Sequence, residues 1–216
     1  MVKKYINVEI PVCNRDNVFI DYFLKGLKYL TPLKDFLDIS ILYNGDKATN
    51  EVIEQGNNFI KKLGFSLYWE KKDYRFEETG KPDIVGVRED VHRINPNYRP
   101  FVLQLDDDME FTSYDYTYEL AGALLFLVRT PSAGWVNIKS SHAEGYEPNT
   151  IYSLGEKISS STWGGILMRS FEEWNGVTLP EMQHLFGSLS DSVVAYARLK
   201  SGYMGYGLKS MNYKHF

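Results

Sequence analysis

Within its first seventy residues this chain alternates strand and helix patterns, and that alternation constrains its fold more than any other feature. Tyr5 to Val12 is β-branched and aromatic with Pro11 at its exit, which reads as a strand. Asn14-Arg15-Asp16-Asn17 is a polar turn suited to cap a helix. Phe19, Ile20, Phe23, Leu24, Leu27 and Leu30 then recur at helical spacing and stop before Thr31-Pro32. Phe36 to Tyr43 reads as a second strand, closed by the turn Asn44-Gly45-Asp46. A second helix is predicted from about Thr49 to Leu63, with Val52, Ile53, Phe59 and Ile60 inward and Gly64 as its C-terminal cap. Phe65 to Glu70 makes a third strand. Strand, helix, strand, helix, strand is the pattern of a parallel sheet with helices packed on it.

The remainder extends this pattern. A charged loop from Lys71 to Pro82 leads to a helix from about Asp83 to Asn95, and Pro96 and Pro100 bracket the approach to a strand at Phe101 to Leu105. Ser113-Tyr114-Asp115 caps an apolar helix from about Tyr116 to Val128. Trp135 to Lys139 is a strand that enters a Ser-, His- and Gly-rich loop, Ser140 to Pro148. A loop from Ser159 to Trp163 runs into a buried strand at Gly164 to Met168, and helices follow at Phe171 to Trp174 and Asp191 to Leu199. The tail from Gly202 to Phe216 is rich in Gly, Tyr and Lys. With no internal repeat or low-complexity tract, one compact α/β domain over 1–216 is the economical reading.

Composition excludes several classes. A formal net charge of −4 argues against nucleic-acid binding through the whole surface, though not against a local basic groove. Cys13 is the single cysteine, so neither an intramolecular disulfide nor a cysteine zinc cage is available, and a reducing, cytoplasmic location is expected. The N-terminus lacks a signal-peptide pattern, and the longest apolar run, Leu120 to Val128, is too short to cross a bilayer. His92, His142, His184 and His215 offer no pair at the zinc spacing of four residues, which disfavours a zinc hydrolase.

The chemistry concentrates at Asp106-Asp107-Asp108, three adjacent carboxylates directly after the apolar run Phe101 to Leu105. Adjacent carboxylates repel one another, and nothing in a strand's stability asks for three at its tip. A divalent cation relieves that repulsion, because hard oxygen ligands suit Mg²⁺ or Mn²⁺. In an extended chain Asp106 and Asp108 point to one side and Asp107 to the other. The bland reading of the triad is a solvated acidic turn.

In motif order the chain resembles the GT-A fold glycosyltransferases over about residues 5 to 200. A first strand ends at Pro11 and a polar turn, where those enzymes begin their nucleotide pocket. Asn44-Gly45-Asp46 stands where they carry an acidic, Gly-containing turn that contacts the base. Arg88 precedes the aspartates at the interval of their phosphate-side arginine, and Asp106-Asp107-Asp108 looks like their Asp-x-Asp signature. Trp163-Gly164-Gly165 is similar to the segment lining their acceptor side, and Asp191, opening a helix, resembles their catalytic base. The family usually has two acidic residues there; Leu189-Ser190-Asp191 has one. The chain's length and its Lys-, Asn- and Tyr-rich style suit the short phage-encoded members of this fold.

The resemblance implies a single GT-A-like domain with a mostly parallel, Rossmann-like central sheet and helices on both faces. About 1–110 would form the nucleotide-binding half and about 111–216 the acceptor-side half. It implies a metal-dependent transfer of sugar from a nucleotide-sugar donor to an acceptor hydroxyl on a glycan, lipid, protein or modified DNA base. The donor would meet Pro11, Asn14, Arg15, Asn44, Asp46, Arg88, Asp106 and Asp107. The Mn²⁺ or Mg²⁺ would be held by Asp108 and Asp106, with His215, or else His184, completing the shell. Asp191 would be the general base, with Glu172, Glu173 and Glu181 as competitors. Two rivals share these residues. A nucleotidyltransferase or other phosphoryl-transfer enzyme needs the same clustered aspartates and Mg²⁺, and a non-catalytic module would only bind sugar or metal.

Overall fold

The computed structural model describes residues 4–13, 16–45, 48–73, 84–139, 150–153, 165–170, 202–210 and 212–215. An eight-stranded sheet forms its centre. In chain order the strands are β1 (Ile6–Cys13), β2 (Leu37–Asn44), β3 (Ser66–Lys72), β4 (Phe101–Gln104), β6 (Ala133–Lys139), β7 (Ile151–Ser153), β8 (Ile166–Arg169) and β9 (Met204–Lys209). They lie in the order β3-β2-β1-β4-β8-β6-β9-β7. The β3-β2, β2-β1, β1-β4 and β6-β9 pairings are parallel, and β4-β8, β6-β8 and β7-β9 are antiparallel. A second, two-stranded sheet pairs β5 (Met109–Phe111) with β10 (Tyr213–His215). The helices are α1 (Asp16–Val18), α2 (Asn50–Lys62), α3 (Ile84–Ile94) and α4 (Asp115–Arg129).

Alternation along the central strands gives the sheet two unlike faces. Ile6, Val8, Ile10 and Val12 of β1, Leu37, Ile39, Ile41 and Tyr43 of β2, and Phe101 and Leu103 of β4 join one apolar core. Val52, Ile53 and Ile60 of α2 and Leu120, Ala123 and Leu127 of α4 complete it. The residues between them turn to the other face, where Asn7, Glu9, Asp38, Ser40 and Gln104 are polar yet buried beside apolar Leu42 and Val102. Helix α3 packs on that face, its Val87 and Val91 meeting Leu42.

Local chemistry explains most boundaries. Thr49 caps α2, its hydroxyl accepting from Val52 N at 3.3 Å, while Gly64 beyond the C-terminus takes φ 86°, a left-handed conformation that costs glycine little. Lys61 and Lys62 in the last turn complement the helix dipole. The predicted helix over Phe19 to Leu30 is not a continuous α-helix. After α1 the chain takes a π-helical turn over Phe19–Leu24 and a 3₁₀ segment over Leu27–Leu33, which includes Pro32. Close packing accompanies this irregularity: a Cβ on Gly26 would meet the backbone nitrogen of Phe111 at 2.7 Å.

Pro11 does not end its strand, which continues to Cys13. Leu105 N donates to Glu9 O at 3.0 Å, so the odd-numbered peptide groups of β1 face β4. The nitrogen of Pro11 therefore points to the side where β4 has already stopped at Gln104, and its missing hydrogen leaves no gap in the ladder. Four strands were not foreseen from the sequence: β5, β7, β9 and β10. The expected helices at Phe171 to Trp174 and Asp191 to Leu199 lie outside the described residues.

Candidate active site

The carboxyl ends of β1, β2 and β4 are neighbours, since Cys13 is in register with Asn44 and Glu9 with Gln104. Open α/β sheets bind their ligands beyond such strand ends. Asn44 is buried at the end of β2, and Gly45 follows with φ 93°, a turn that suits glycine. Pro11 is buried in β1 opposite Leu42. Asn14, Arg15 and Asp46, which follow these strand ends in sequence, lie outside the described residues.

The aspartates follow β4 as expected, but not as an extended chain. The strand stops at Gln104, and Asp107 and Asp108 form a turn into β5. Strict alternation of Asp106 and Asp108 therefore does not hold, because a turn abandons the two-residue period of a strand. Asp107 and Asp108 are 7% and 6% exposed, unusual for carboxylates on a turn. Asp106 is less covered, and its Oδ1 accepts from Arg88 Nη2 at 3.1 Å. Arg88 is itself buried on α3. The residue expected to face phosphate thus holds the first aspartate.

Among the described residues no three or more His, Cys, Asp or Glu side chains gather as a metal cage. Mg²⁺ beside phosphates is often held by only one or two carboxylates, with phosphate oxygens and waters filling the octahedron. The donor set at 106–108, all carboxylate oxygen, fits Mg²⁺ or Mn²⁺. His215 lies on β10, where its backbone is in register with Met109, the residue after Asp108. Sequence reasoning had no signal for that pairing, because three-residue strands carry too little periodicity to see.

Gly165 enters β8 with φ 104°, and a Cβ there would stand 2.7 Å from Leu105 Cδ2 and 3.2 Å from Gln104 O. Its bare backbone presses against the chain leading into Asp106. Trp163, Gly164, His184, Asp191, Glu172, Glu173 and Glu181 lie outside the described residues.

Two polar clusters near these strands were missed. Glu9, fully buried in β1, meets His92 of α3, with Nδ1 2.6 Å from Oε1 in a contact where the imidazole donates. Its signal was a carboxylate set between Val8 and Ile10 in a strand. Glu119 of α4 accepts from Ser210 Oγ at 2.5 Å and Asn212 Nδ2 at 2.8 Å, tying the tail to the helix. Burial raises the carboxyl pKa of Glu119, the Ser210 and Asn212 hydrogen bonds oppose that rise, and the charge of Asp115 adds to it.

No family model matches the sequence, and no curated protein matches it. Solved structures match the fold. Residues 1–349 of S. aureus TarS superpose with a TM-score of 0.65 at 16% identity, covering 97% of this chain and 59% of that one. The mannosyltransferase PcManGT from Pyrobaculum calidifontis, solved with GDP-Man and Mn²⁺, gives 0.58 at 14% identity, covering 96% and 55%. A UTP-bound UGPase from Acinetobacter baumannii gives 0.56 at 9% identity, covering 96% and 86%. The chain has the GT-A fold of the glycosyltransferases, with a mixed, mostly parallel central sheet and helices on both faces. It spans little more than half the length of the first two of these proteins. Among the described residues no helix is long and apolar enough to cross a membrane.

Proposed function

We propose that this chain is a metal-dependent glycosyltransferase, moving a sugar from a nucleoside-diphosphate donor to an acceptor hydroxyl. The observation that carries the reading is the buried turn Asp107-Asp108, placed with Asp106 at the carboxyl end of β4 beside the ends of β1 and β2. A fold shared with a mannosyltransferase solved with GDP-Man and Mn²⁺ supports it.

In this reading the nucleotide lies over the ends of β1 and β2, against Pro11, Asn14, Arg15, Asn44 and Asp46. Asp108 and Asp106, with His215, would hold Mn²⁺ or Mg²⁺, which would supply Lewis-acid stabilisation to the departing diphosphate. Arg88 keeps the Asp106 carboxylate in place, and Asp107 adds to the donor side. The bond from sugar C1 to the diphosphate oxygen breaks, and a bond from C1 to the acceptor oxygen forms. Asp191 takes the hydroxyl proton as general base, and Trp163, Gly164 and Gly165 line the acceptor side. Residues 1–216 work as one unit, nucleotide half first.

The test is a panel of nucleotide sugars screened for Mn²⁺-dependent thermal stabilisation, since a specific ligand raises Tm by mass action and so names the donor. Asp108→Asn should abolish that shift together with donor hydrolysis and transfer. Retention of all three would falsify the metal–diphosphate assignment.

A second reading, nucleotidyl transfer, is favoured by the UTP-bound UGPase, which this chain covers to 86% of its length. Product analysis separates the two, because the acceptor gains either a sugar or a nucleotide.

A further inference from the structure

Helix α3 meets the sheet through apolar contacts and through two charged ones. Among the described side chains, Val87 and Val91 pack against Leu42 with Ile94 partly buried beside them. Arg88 and His92 stand one turn apart on the same side of the helix, and each reaches a carboxylate on a different strand. Arg88 Nη2 meets Asp106 Oδ1 at 3.1 Å, and His92 Nδ1 meets Glu9 Oε1 at 2.6 Å.

Glu9 is an expensive way to hold a helix. Its side chain is 0% exposed; Oε1 also accepts from Asn7 Nδ2 at 3.1 Å, while the buried Oε2 has no hydrogen-bond partner among the described residues. Gln104, in register with Glu9 on β4, likewise has a buried Nε2 with no partner among the described residues. Desolvating a carboxylate opposes folding, and apolar residues of similar volume often hold such a place at no loss of stability or with a gain. Stability therefore gives no reason for Glu9. A short directional bond supplies what apolar contact does not, a defined rotation and height of α3 on the sheet.

We propose that Glu9 and His92 are positioning residues for the aspartate cluster. Their bond sets the register of α3, and so places the Arg88 guanidinium that orients Asp106 for a cation-bound diphosphate. This inference rests on the metal–diphosphate reading of 106–108.

The test compares the full-length wild type with Glu9→Leu/His92→Leu, alone and combined with Arg88→Met. Urea unfolding measures stability. Calorimetry measures affinity for UDP, GDP, CDP and ADP, each with Mn²⁺. The apolar pair is expected to keep or raise stability while weakening Mn²⁺-dependent binding about tenfold or more, the usual scale for losing a supporting partner of a metal site. In the Arg88→Met background the same pair should produce no further loss. Glu9→Gln, which still accepts from Asn7 and His92, should bind nearly as wild type. If the apolar pair fails to fold, Glu9→Gln/His92→Leu, which keeps the Asn7 bond and removes the link to α3, is expected to show the same loss. Unchanged affinity in a folded variant, or an additive loss on top of Arg88→Met, overturns the inference and leaves the proposed function standing. A wild type that binds none of the four diphosphates with Mn²⁺ overturns both.

Discussion

The backbone of His215 lies antiparallel to that of Met109 and in register with it, which brings the end of the described chain beside the residue that follows Asp108. Tyr213 opposite Phe111 and Asn212 O accepting from Thr112 N at 2.9 Å continue the same attachment. A segment far away in sequence is thus built into the surroundings of the aspartates.

His215→Ala should weaken Mn²⁺ binding in the presence of a nucleoside diphosphate by about tenfold or more, on the scale of altered metal-site partners. Its melting temperature without ligand should stay close to wild type. Calorimetry that returns the wild-type Mn²⁺ affinity removes His215 from the metal shell.

Glu119 carries a pH dependence whose sign follows from its raised pKa. A carboxyl with a raised folded-state pKa favours the folded state fully below the unfolded value of about 4.3, and that contribution fades as pH climbs through the folded value. Glu119→Gln mimics the protonated form and removes this slope. Urea titrations from acid to mildly alkaline pH should show the variant gaining on wild type as pH rises. Parallel curves would mean that burial does not shift this carboxyl.

Gly165→Ala forces a side chain onto φ 104° and sets its Cβ 2.7 Å from Leu105 Cδ2. Such backbone strain costs on the order of 1–3 kcal/mol. The variant should lose about that much stability in urea. It should also bind the diphosphate probes more weakly, because the strained contact lies on the chain entering Asp106. A fully stable Gly165→Ala would show that this approach is loose.

Buried Asp38 pairs with half-buried Arg99 on the polar face, with Arg99 Nη2 2.6 Å and Nε 2.7 Å from Asp38 Oδ2. Removing one partner of such a pair costs about 3–5 kcal/mol by stranding the other charge. Arg99→Met should approach the lower figure, since Asn95 Nδ2 still donates to Asp38 at 3.2 Å. Denaturation midpoints test this directly; a loss under half that size would mean that water reaches Asp38.

Much of the first half was legible because its signals are local. Alternation in β1 and β2, the Thr49 cap, the Gly64 terminus and the apolar run before Asp106 each lie within a few adjacent residues, where backbone sterics and side-chain period act. The helix expected over Phe19 to Leu30 is instead irregular, and the close passage of Gly26 against Phe111 there is a contact between distant parts of the chain that no local pattern announces. The buried partners of Glu9, Asp38 and Glu119 were invisible for the same reason: a carboxylate in sequence does not announce which cation or donor will be folded against it.

Residue order alone therefore determined a strand–helix alternation, its parallel core and a carboxylate cluster at a strand's end. Tertiary structure decided that Arg88 holds Asp106, that His92 reaches Glu9, and that the last strand returns to β5. The first set follows from forces acting between near neighbours, the second from packing that brings charges together only once the sheet has formed.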